Sequence, residues 1–346
     1  MTTMTSKLVL VYSATSRQGE SVVRSLLDNA SGAFKVRGTT RDVNSDKSKS
    51  LIALGVEMVS IDAAGGLESL GAQALAAFDG CWGAFINIDS YNPVIVADGG
   101  PSVYDYSKIV VDAAAKAGVQ HIVHSSLPPS SEISDGLISI DYFDDKDAIN
   151  TYIKANPQFR TTTAINAGWY LENFLDKRLT PVIGGFPFTA EDGCLILRLP
   201  SFGGNGSMHF VDIEQDFGDF VHGVLVDPEV YNGASIQGFS VLDTPEALVQ
   251  AFTQVTGKTA RYVEITPKEF STHGSRGLLA MKKEILYCQY NGGLFYGEPS
   301  DLGPAATLKA IAAEARGRRP VASGNSGLSS VLDFVKQHFA RDSSLS

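Results

Sequence analysis

The sequence predicts an α/β protein with a doubly wound parallel sheet and a smaller α+β lobe. From residue 7 to about residue 165, short β-branched runs alternate with helical stretches, which is the pattern of consecutive βαβ units. The first apolar run passes through a turn of small residues directly into an amphipathic helix. Crossovers between parallel strands are almost always right-handed, so an open sheet covered by helices on both faces is the economical topology.

Each predicted element is a run of one periodicity bounded by turn residues. The first strand is apolar apart from Lys7, as expected for a strand buried on both faces. The predicted strands cover residues 7–12, 34–39, 56–61, 83–88, 120–125 and 159–165. The helices predicted between them lie near residues 18–28, 45–54, 67–78, 101–117 and 144–155. Ligands of such sheets bind at the carboxyl ends of the strands, so residues there are candidates for a site.

After residue 165 the alternation weakens, which indicates a second, smaller lobe. Loops rich in glycine and proline are predicted at residues 181–187, 202–207 and 292–304. Helices are predicted over residues 214–226 and 244–256, the second with Thr244 as its cap and Pro245 at its first position. We therefore expect residues 1–165 to form the sheet domain. Residues 166–346 then form mainly the smaller lobe, with some segments returning to the sheet.

The composition excludes several classes of protein. The chain has 346 residues, 44% of them hydrophobic and 19% charged, as in ordinary globular proteins. A net charge of −10 disfavours direct binding of nucleic acid or anionic lipid. No run has the length of a membrane span, and the first six residues lack a signal-peptide pattern, so we expect a cytoplasmic protein. The three cysteines and six histidines do not gather at metal-ligand spacing, so no metal site is expected.

The turn after the first strand has the place and shape of a dinucleotide-binding loop. It has the pattern G-x-x-G-x-x-G, with serine in place of the first two glycines and only the third retained. The helix that follows presents free N–H groups to a pyrophosphate. A surface loop rich in small residues is the alternative interpretation. The candidate cofactor contacts in this turn are Ser13, Thr15, Ser16, Arg17, Gln18 and Gly19.

The chain resembles the NmrA-like family, atypical relatives of the short-chain dehydrogenases/reductases, over nearly its whole length. Residues 13–19 resemble its G-A-T-G-x-Q-G turn, residues 36–41 its V-R-x-x-T-R strand, and residues 167–174 its P-G-F-F-x-E-N-F segment. The resemblance implies a Rossmann domain that binds NADP(H) beneath a substrate lobe. Members of the family include redox-sensing transcriptional co-regulators, reductases and enzymes of fungal secondary metabolism.

The end of the second strand favours NADP(H) over NAD(H). An NAD site usually has an acidic residue there, whereas this strand ends at Arg41, which can pair with a 2′-phosphate. The alternative is that Arg41 only extends into solvent from the strand end. The resemblance places Asp62 near the adenine amine, although it also fits a strand-ending turn. Asn87, at the end of the fourth strand, completes the candidate cofactor contacts.

Tyr142 and Lys146 form a Y-x-x-x-K pair at the start of the helix after the fifth strand. The i, i+4 spacing puts them on one helical face, where the cation is expected to lower the pKa of the phenol and to hold a ribose hydroxyl. Such a phenol can pass a proton to a carbonyl or imine while hydride moves. Short-chain dehydrogenases pair these residues with an upstream serine, here Ser125 or Ser126, of which Ser126 is the candidate. The alternative is a chance match.

One further segment supplies candidates for the substrate end of the site. The resemblance brings Glu172 and Asn173 near the nicotinamide, and Glu172 is a candidate general acid, with a structural carboxylate as the alternative. Trp169 and Tyr170 are candidates for an aromatic pocket wall, although aromatic residues at this spacing also fit a core.

These features predict an NADP(H)-binding enzyme of secondary-metabolite biosynthesis that acts on a small-molecule carbonyl or imine, most simply as an oxidoreductase. One alternative is a redox-neutral acid/base enzyme that retains NADP, such as an imine cyclase of the Pictet–Spengler type. Another is an NADP-sensing transcriptional co-regulator without turnover. The expected partner is a small molecule, and the sequence indicates no oligomeric state.

Overall fold

The computed structural model describes residues 6–318 and 327–340. Residues 1–5, 319–326 and 341–346 lie outside the described residues. The first half of the chain alternates strands with helices: β1 (Lys7–Val11), α1 (Arg17–Leu27), β2 (Phe34–Thr40), α2 (Asp46–Ala53), β3 (Glu57–Ser60), α3 (Leu67–Phe78), β4 (Gly83–Ile86), α4 (Pro93–Val96), α5 (Val103–Lys116), β5 (His121–Ser126), α6 (Ser130–Ile133), α7 (Asp141–Ala155) and β6 (Thr161–Ala167).

The second half mixes short strands with longer helices. Its elements are β7 (Trp169–Tyr170), β8 (Ala190–Glu191), β9 (Cys194–Leu199), β10 (Met208–Val211), α8 (Gly218–Val226), β11 (Ser235–Gly238), β12 (Val241–Asp243), α9 (Pro245–Thr256), β13 (Ala260–Glu264), α10 (Arg276–Tyr290), α11 (Gly303–Ala315) and α12 (Val331–Phe339). Thr244 caps α9 by accepting a hydrogen bond from Ala247 N, with Pro245 at the first helical position, as predicted. Five of the described helices were not predicted from the sequence: α4, α6, α10, α11 and α12.

A seven-stranded parallel sheet forms the centre of the molecule and confirms the predicted fold class. Its strand order is β11-β6-β5-β4-β1-β2-β3, with every neighbouring pair parallel. The order reverses between β1 and β4, and a crevice opens at such a reversal, next to the N-terminus of α1. Six of the seven strands were predicted to within about two residues. The seventh, β11, comes from the second half of the chain and was not predicted as a strand.

Alternating side chains of the strands divide the core between the two faces of the sheet. On one face, Val9 and Val11 of β1 are fully buried in the cluster that includes α1 and α8. On the other face, Leu10 is buried with side chains of α3, α5 and α7. This separation follows from the two-residue period of a strand.

The smaller lobe has its own aromatic core and two three-stranded sheets, β12-β10-β7 and β13-β9-β8. Phe186 contacts Phe174 and Phe252 edge to face, which joins the loop before β8 to α9. This smaller lobe lies over the carboxyl ends of the sheet strands and covers the crevice between β1 and β4. None of the helices in the described ranges is long and apolar enough to span a membrane.

Candidate active site

A cleft of about 840 Å³ lies at the carboxyl ends of the central strands. Its floor comes from the turn before α1 and from the ends of β4, β5 and β6. Helix α7 forms one wall, and the segment around β7 together with one face of α10 forms the other. Of the predicted site residues, the structure brings these into the lining: Ser16, Arg17, Gln18, Asn87, Ser126, Tyr142, Lys146, Trp169, Tyr170 and Asn173.

The turn between β1 and α1 accommodates serine at its first two glycine positions in different ways. Ser13 has a left-handed backbone, with φ of 59°, and its N–H donates to Thr39 Oγ1 over 2.9 Å. Ser16 has an extended backbone and caps α1, since its hydroxyl accepts from Gly19 N over 3.1 Å. At Gly19, a Cβ would lie 2.2 Å from the carbonyl oxygen of Ser13. The third glycine position of the turn therefore accommodates only glycine.

Arg17 and Gln18 point in different directions from the start of α1. Arg17 is exposed at the mouth of the cleft, where a ligand phosphate could reach it. Gln18 is buried, and its Nε2 donates to the hydroxyl of Tyr170 over 2.7 Å while its Oε1 has no partner among the described residues. Gln18 thus positions Tyr170 on the wall of the cleft.

A second pocket of about 190 Å³ adjoins the turn on the side of β2. Ser13, Thr15 and the exposed Arg41 line it. Lys47, which sequence reasoning missed, lies beside it, and its ammonium donates to the carbonyl oxygen of Thr15 over 3.2 Å. Two cations therefore flank this pocket.

Asp62 lies outside the lining of both pockets. Its carboxylate accepts from Ala64 N over 2.9 Å and caps the short 3₁₀ turn Ala63–Gly65. This hydrogen bond is typical of a turn residue that follows a strand. It fits the alternative interpretation of Asp62, in which the residue ends a strand and does not lie near the adenine amine.

Lys146 is buried in the floor of the cleft without a carboxylate partner. Its side chain is 8% exposed, and its ammonium donates to Asn87 Oδ1 over 3.3 Å. Burial lowers the pKa of Lys146 to about 8. The ammonium donates to one amide oxygen, and the charge of Asp89 also favours its protonated form, so donors of the ammonium remain free for a ligand.

The pKa of Tyr142 is raised, not lowered as its spacing from Lys146 predicted. Burial and then the carboxyl group of Glu284 raise that pKa well above the value of an ordinary phenol. The expected lowering is wrong because the ammonium of Lys146 donates to Asn87, while the phenol faces Tyr91, Tyr170 and Glu284. Tyr142 is therefore a protonated phenol at neutral pH, suited to donating a proton.

The two serines at the end of β5 differ in the freedom of their hydroxyls. Ser126, the predicted partner of Tyr142, donates to the carbonyl oxygen of Lys146 over 3.1 Å and so joins β5 to α7. The hydroxyl of Ser125 makes no hydrogen bond to the part of the chain that the structure describes, and Ser125 also lines the cleft. Ser125 is the serine whose hydroxyl is available to a ligand.

Glu172 does not line the cleft, although its neighbours Trp169, Tyr170 and Asn173 do. Its Oε1 accepts from Glu214 N over 2.8 Å, at the start of the π-helical turn Ile213–Phe217 that leads into α8. Burial, and then the charge of Asp212, raise the pKa of Glu172 to about 7. Its geometry is that of a structural carboxylate, which was the alternative to a general acid.

Glu284 of α10 is a buried carboxyl group of the cleft lining. The lining also contains the exposed Asp89 and the half-buried Asp176, the latter paired with Arg178. Its side chain is 8% exposed, and burial raises its pKa to about 8. Sequence reasoning missed it, although a signal was present. Leu278, Met281 and Ile285 recur at helical spacing, and Glu284 is an acidic residue on that otherwise apolar face.

The described ranges hold no group of three or more His, Cys, Asp or Glu residues that could ligate a metal ion. All three cysteines are free. The polar groups of the cleft lining include the phenol of Tyr142, the ammonium of Lys146, the carboxyl group of Glu284 and the hydroxyls of Ser125 and Ser126.

Comparison with known proteins identifies close relatives. A model of the NmrA-like family matches residues 5–293. FrzB of Cladobotryum sp, an NmrA-like family domain-containing oxidoreductase, is 41% identical over 342 residues, covering 97% of this chain and 99% of FrzB. The similarly described oxidoreductase lnaB of Aspergillus flavus is 39% identical over 338 residues, covering 96% and 98%. NmrA, a negative transcriptional regulator solved in complexes with NAD and NADP, shares the fold at 20% identity. Its TM-score is 0.72 over 96% of this chain and 95% of NmrA.

Proposed function

This chain belongs to the NmrA-like family, and on that basis we propose that it is an NADP(H)-binding enzyme acting on a small-molecule carbonyl or imine. Its simplest activity is that of an oxidoreductase of fungal secondary metabolism. The observation that carries the proposal is one continuous cleft, which begins at the N-terminus of α1 and contains both Tyr142 and Lys146. The names of FrzB and lnaB as oxidoreductases support an enzyme.

The residues around α1 fit a dinucleotide phosphate. The close packing of Gly19 against Ser13 holds the turn near the helix N-terminus, whose N–H groups and partial positive charge favour a pyrophosphate. Arg41 and Lys47 flank the adjoining pocket and supply charge for a 2′-phosphate. The complexes of NmrA with NAD and NADP show that this fold holds such cofactors in that protein. When bound, the cofactor supplies or accepts a hydride.

The side chains of the cleft have separate functions in cofactor binding, proton donation and substrate orientation. Lys146, fixed by Asn87, holds a ribose hydroxyl with its free donors. Tyr142 keeps its proton at neutral pH and donates it to the carbonyl oxygen or imine nitrogen of the substrate. Ser125 orients that same atom through its free hydroxyl. Trp169 and Tyr170 exclude water from one side of the substrate.

The direct test is the loss of the Tyr142 hydroxyl. Tyr142→Phe should lower kcat for NADPH consumption with phenanthrenequinone or 3,4-dihydroisoquinoline by about 10²–10⁴-fold, the usual contribution of a general acid. Tyr104→Phe is the matched control, because Tyr104 lies on α5 outside the cleft lining and should leave the rate unchanged. Full activity of Tyr142→Phe would contradict the mechanism. NADPH binding without turnover of any carbonyl or imine would favour the co-regulator alternative.

A redox-neutral acid/base enzyme is the second candidate, and the cap of α1 favours it. Ser16 accepts the N–H of Gly19, so one of the donors at the helix N-terminus is already satisfied without a ligand. A cofactor held by fewer donors is suited to a structural or electrostatic function. Product formation that proceeds equally with NADP⁺ and NADPH, and consumes neither, would establish this candidate.

A further inference from the structure

We propose that the substrate carries a basic nitrogen, as an amine or an imine, and that Glu284 binds this nitrogen on the lobe side of the cleft. The inference rests on the proposed function for the choice of cleft. It narrows the substrate from a carbonyl or imine to a nitrogen compound.

Helix α10 holds Glu284 in place over the cleft. Near its N-terminus, Arg276 Nη1 donates to the carbonyl oxygen of Val96 over 3.1 Å. One residue before Glu284, Lys283 Nζ donates to the carbonyl oxygen of Ser139 over 2.8 Å. The helix thus bridges two segments of the sheet domain, and its inner face closes the cleft. Leu278, Met281 and Glu284 lie on that face.

Glu284 has no partner of its own within residues 6–318 and 327–340. Its carboxyl group makes no hydrogen bond and no ion pair there, although the side chain is more than nine-tenths buried. The groups that its charge affects are Tyr91, Tyr142, Tyr287 and Cys288, none of which is a cation. A buried carboxylate without a partner is costly, so such a group is rarely retained for stability alone.

Two other carboxylates, the buried Glu172 and the half-buried Asp144, show the hydrogen bonding of a structural group. Glu172 is buried to the same extent, but it accepts a hydrogen bond from Glu214 N. Asp144 accepts hydrogen bonds from Ser130, Ser131 and Ser139. Glu284 differs from both because its acceptor oxygens face the cleft without a donor. The group is therefore available to a ligand.

The surroundings of Glu284 fit an organic cation. Tyr91 and Tyr142, with ring centroids 6.2 Å apart, line the cleft together with Trp169 and Phe295. Aromatic faces attract ammonium groups and bury the carbon skeleton attached to them. The carboxylate of Glu284 provides a negative charge, opposite to that of an ammonium group, at one point of this aromatic surface. A neutral alcohol or ketone would gain the aromatic contacts but not the charge.

The ionisation state of Glu284 determines whether a proton is released or transferred when a ligand binds. Its pKa of about 8 keeps the carboxyl group largely protonated at pH 7. An amine that arrives as ammonium displaces this proton to solvent. An imine, which arrives neutral, takes the proton itself, so that an O–H bond breaks, an N–H bond forms, and a carboxylate–iminium pair results.

The test compares two probes of the same skeleton, 2-phenylethylamine and 2-phenylethanol, by calorimetry with the full-length protein at pH 7.5. We expect the wild type to bind the amine at least about tenfold more tightly than the alcohol, as expected for one charged hydrogen bond. Titration in two buffers of different ionisation heat should show proton release with the amine only. Glu284→Gln, which keeps the shape of the side chain, should lose both the preference and the proton release.

Two controls keep the outcome interpretable. Glu172→Gln removes an equally buried carboxylate outside the cleft and should leave the amine preference intact. Glu284→Met, which places an apolar side chain of similar length in this apolar surrounding, should also lose the amine preference and the proton release. Both variants should bind NADPH with the affinity of the wild type. Equal affinity of the wild type for the two probes, including no measurable binding of either, would overturn the inference. An amine preference that survives in Glu284→Gln would overturn it as well.

The inference and the proposed function fail separately. If Tyr142→Phe retains full activity or the wild type binds no NADPH, the proposed function fails. An amine preference that depends on Glu284 would still stand in that case. If NADPH turnover depends on Tyr142 but the amine preference is absent, only the inference fails.

Discussion

Single residues in the turn before α1 show how serine replaces glycine in two opposite ways. Ser13 occupies the left-handed region, in which a Cβ crowds the following carbonyl oxygen, so its side chain strains the backbone. Ser16 has the extended backbone of a helix cap, in which serine is preferred. The same substitution therefore weakens one position of the turn and strengthens the other.

We expect these two serines to respond to substitution in opposite directions. Ser13→Gly should raise the free energy of unfolding by about 0.5–1 kcal/mol, because relief of the strain exceeds the added entropy of the unfolded chain. Ser16→Ala should lower it by about 1 kcal/mol through loss of the cap. Urea unfolding of both variants beside the wild type measures the two changes. Changes of the same sign would contradict this account of the turn.

Arg41 and Lys47 should determine the choice between NADPH and NADH. Arg41→Ala and Lys47→Ala should each weaken NADPH binding by about 1–3 kcal/mol, the contribution of a charged hydrogen bond, and leave NADH binding nearly unchanged. Lys49→Ala is the matched control, since Lys49 lies on the same helix as Lys47 but contacts neither pocket. Calorimetric titration with both cofactors would test this. Wild-type affinity for NADH equal to that for NADPH would refute it.

At the scale of elements, helix α1 connects the turn that precedes it to the second half of the chain. Ser21 donates to the carbonyl oxygen of Ile213 over 2.5 Å and accepts from Gly218 N over 2.9 Å. A Cβ at Gly218 would lie 2.2 Å from the carbonyl oxygen of Ser21, so α8 approaches α1 as closely as backbones allow. The position of α1, and with it the turn, thus depends on packing from both sides.

Gly19 should be the least replaceable residue of α1. Gly19→Ala would place a methyl group 2.2 Å from Ser13 O, so either the helix or the turn must move, and dinucleotide binding should be lost. Gly71→Ala is the control, because its Cβ would meet only ordinary contact and alanine favours a helix by about 1 kcal/mol. Thermal unfolding and NADPH titration of the two variants would separate these effects. Unchanged NADPH affinity of Gly19→Ala would exclude close packing at the turn.

At the scale of the whole molecule, the second half of the chain completes the sheet domain. Strand β11 pairs with β6 along Ser235–Gly238, and helix α8 covers the sheet face that contains Val9, Val11 and Phe85. Helix α11 packs on α8 in turn. We propose that residues 1–165 mark the start of a domain that is complete only with these later segments.

A fragment of residues 1–168 should therefore not fold alone. It retains six of the seven strands but exposes the apolar face that α8 covers, as well as the edge of β6. Circular dichroism should show no cooperative thermal transition for the fragment, in contrast to the full chain. Co-expression with residues 169–346 should restore the transition. Cooperative unfolding of the fragment by itself would show that the first half is autonomous.

The sequence alone was sufficient to predict the strands up to β6 and the longer helices between them, the place of the turn before α1, and the position of Tyr142 and Lys146 on one helix. Those features depend on periodicity and spacing within a few residues. The tertiary structure was needed to place Glu172 outside the cleft and Glu284 inside it, and to show that the pKa of Tyr142 is raised. Burial and neighbouring charge set these properties. Both come from segments distant along the chain, so the local pattern, even the acidic residue on the apolar face of α10, does not determine them.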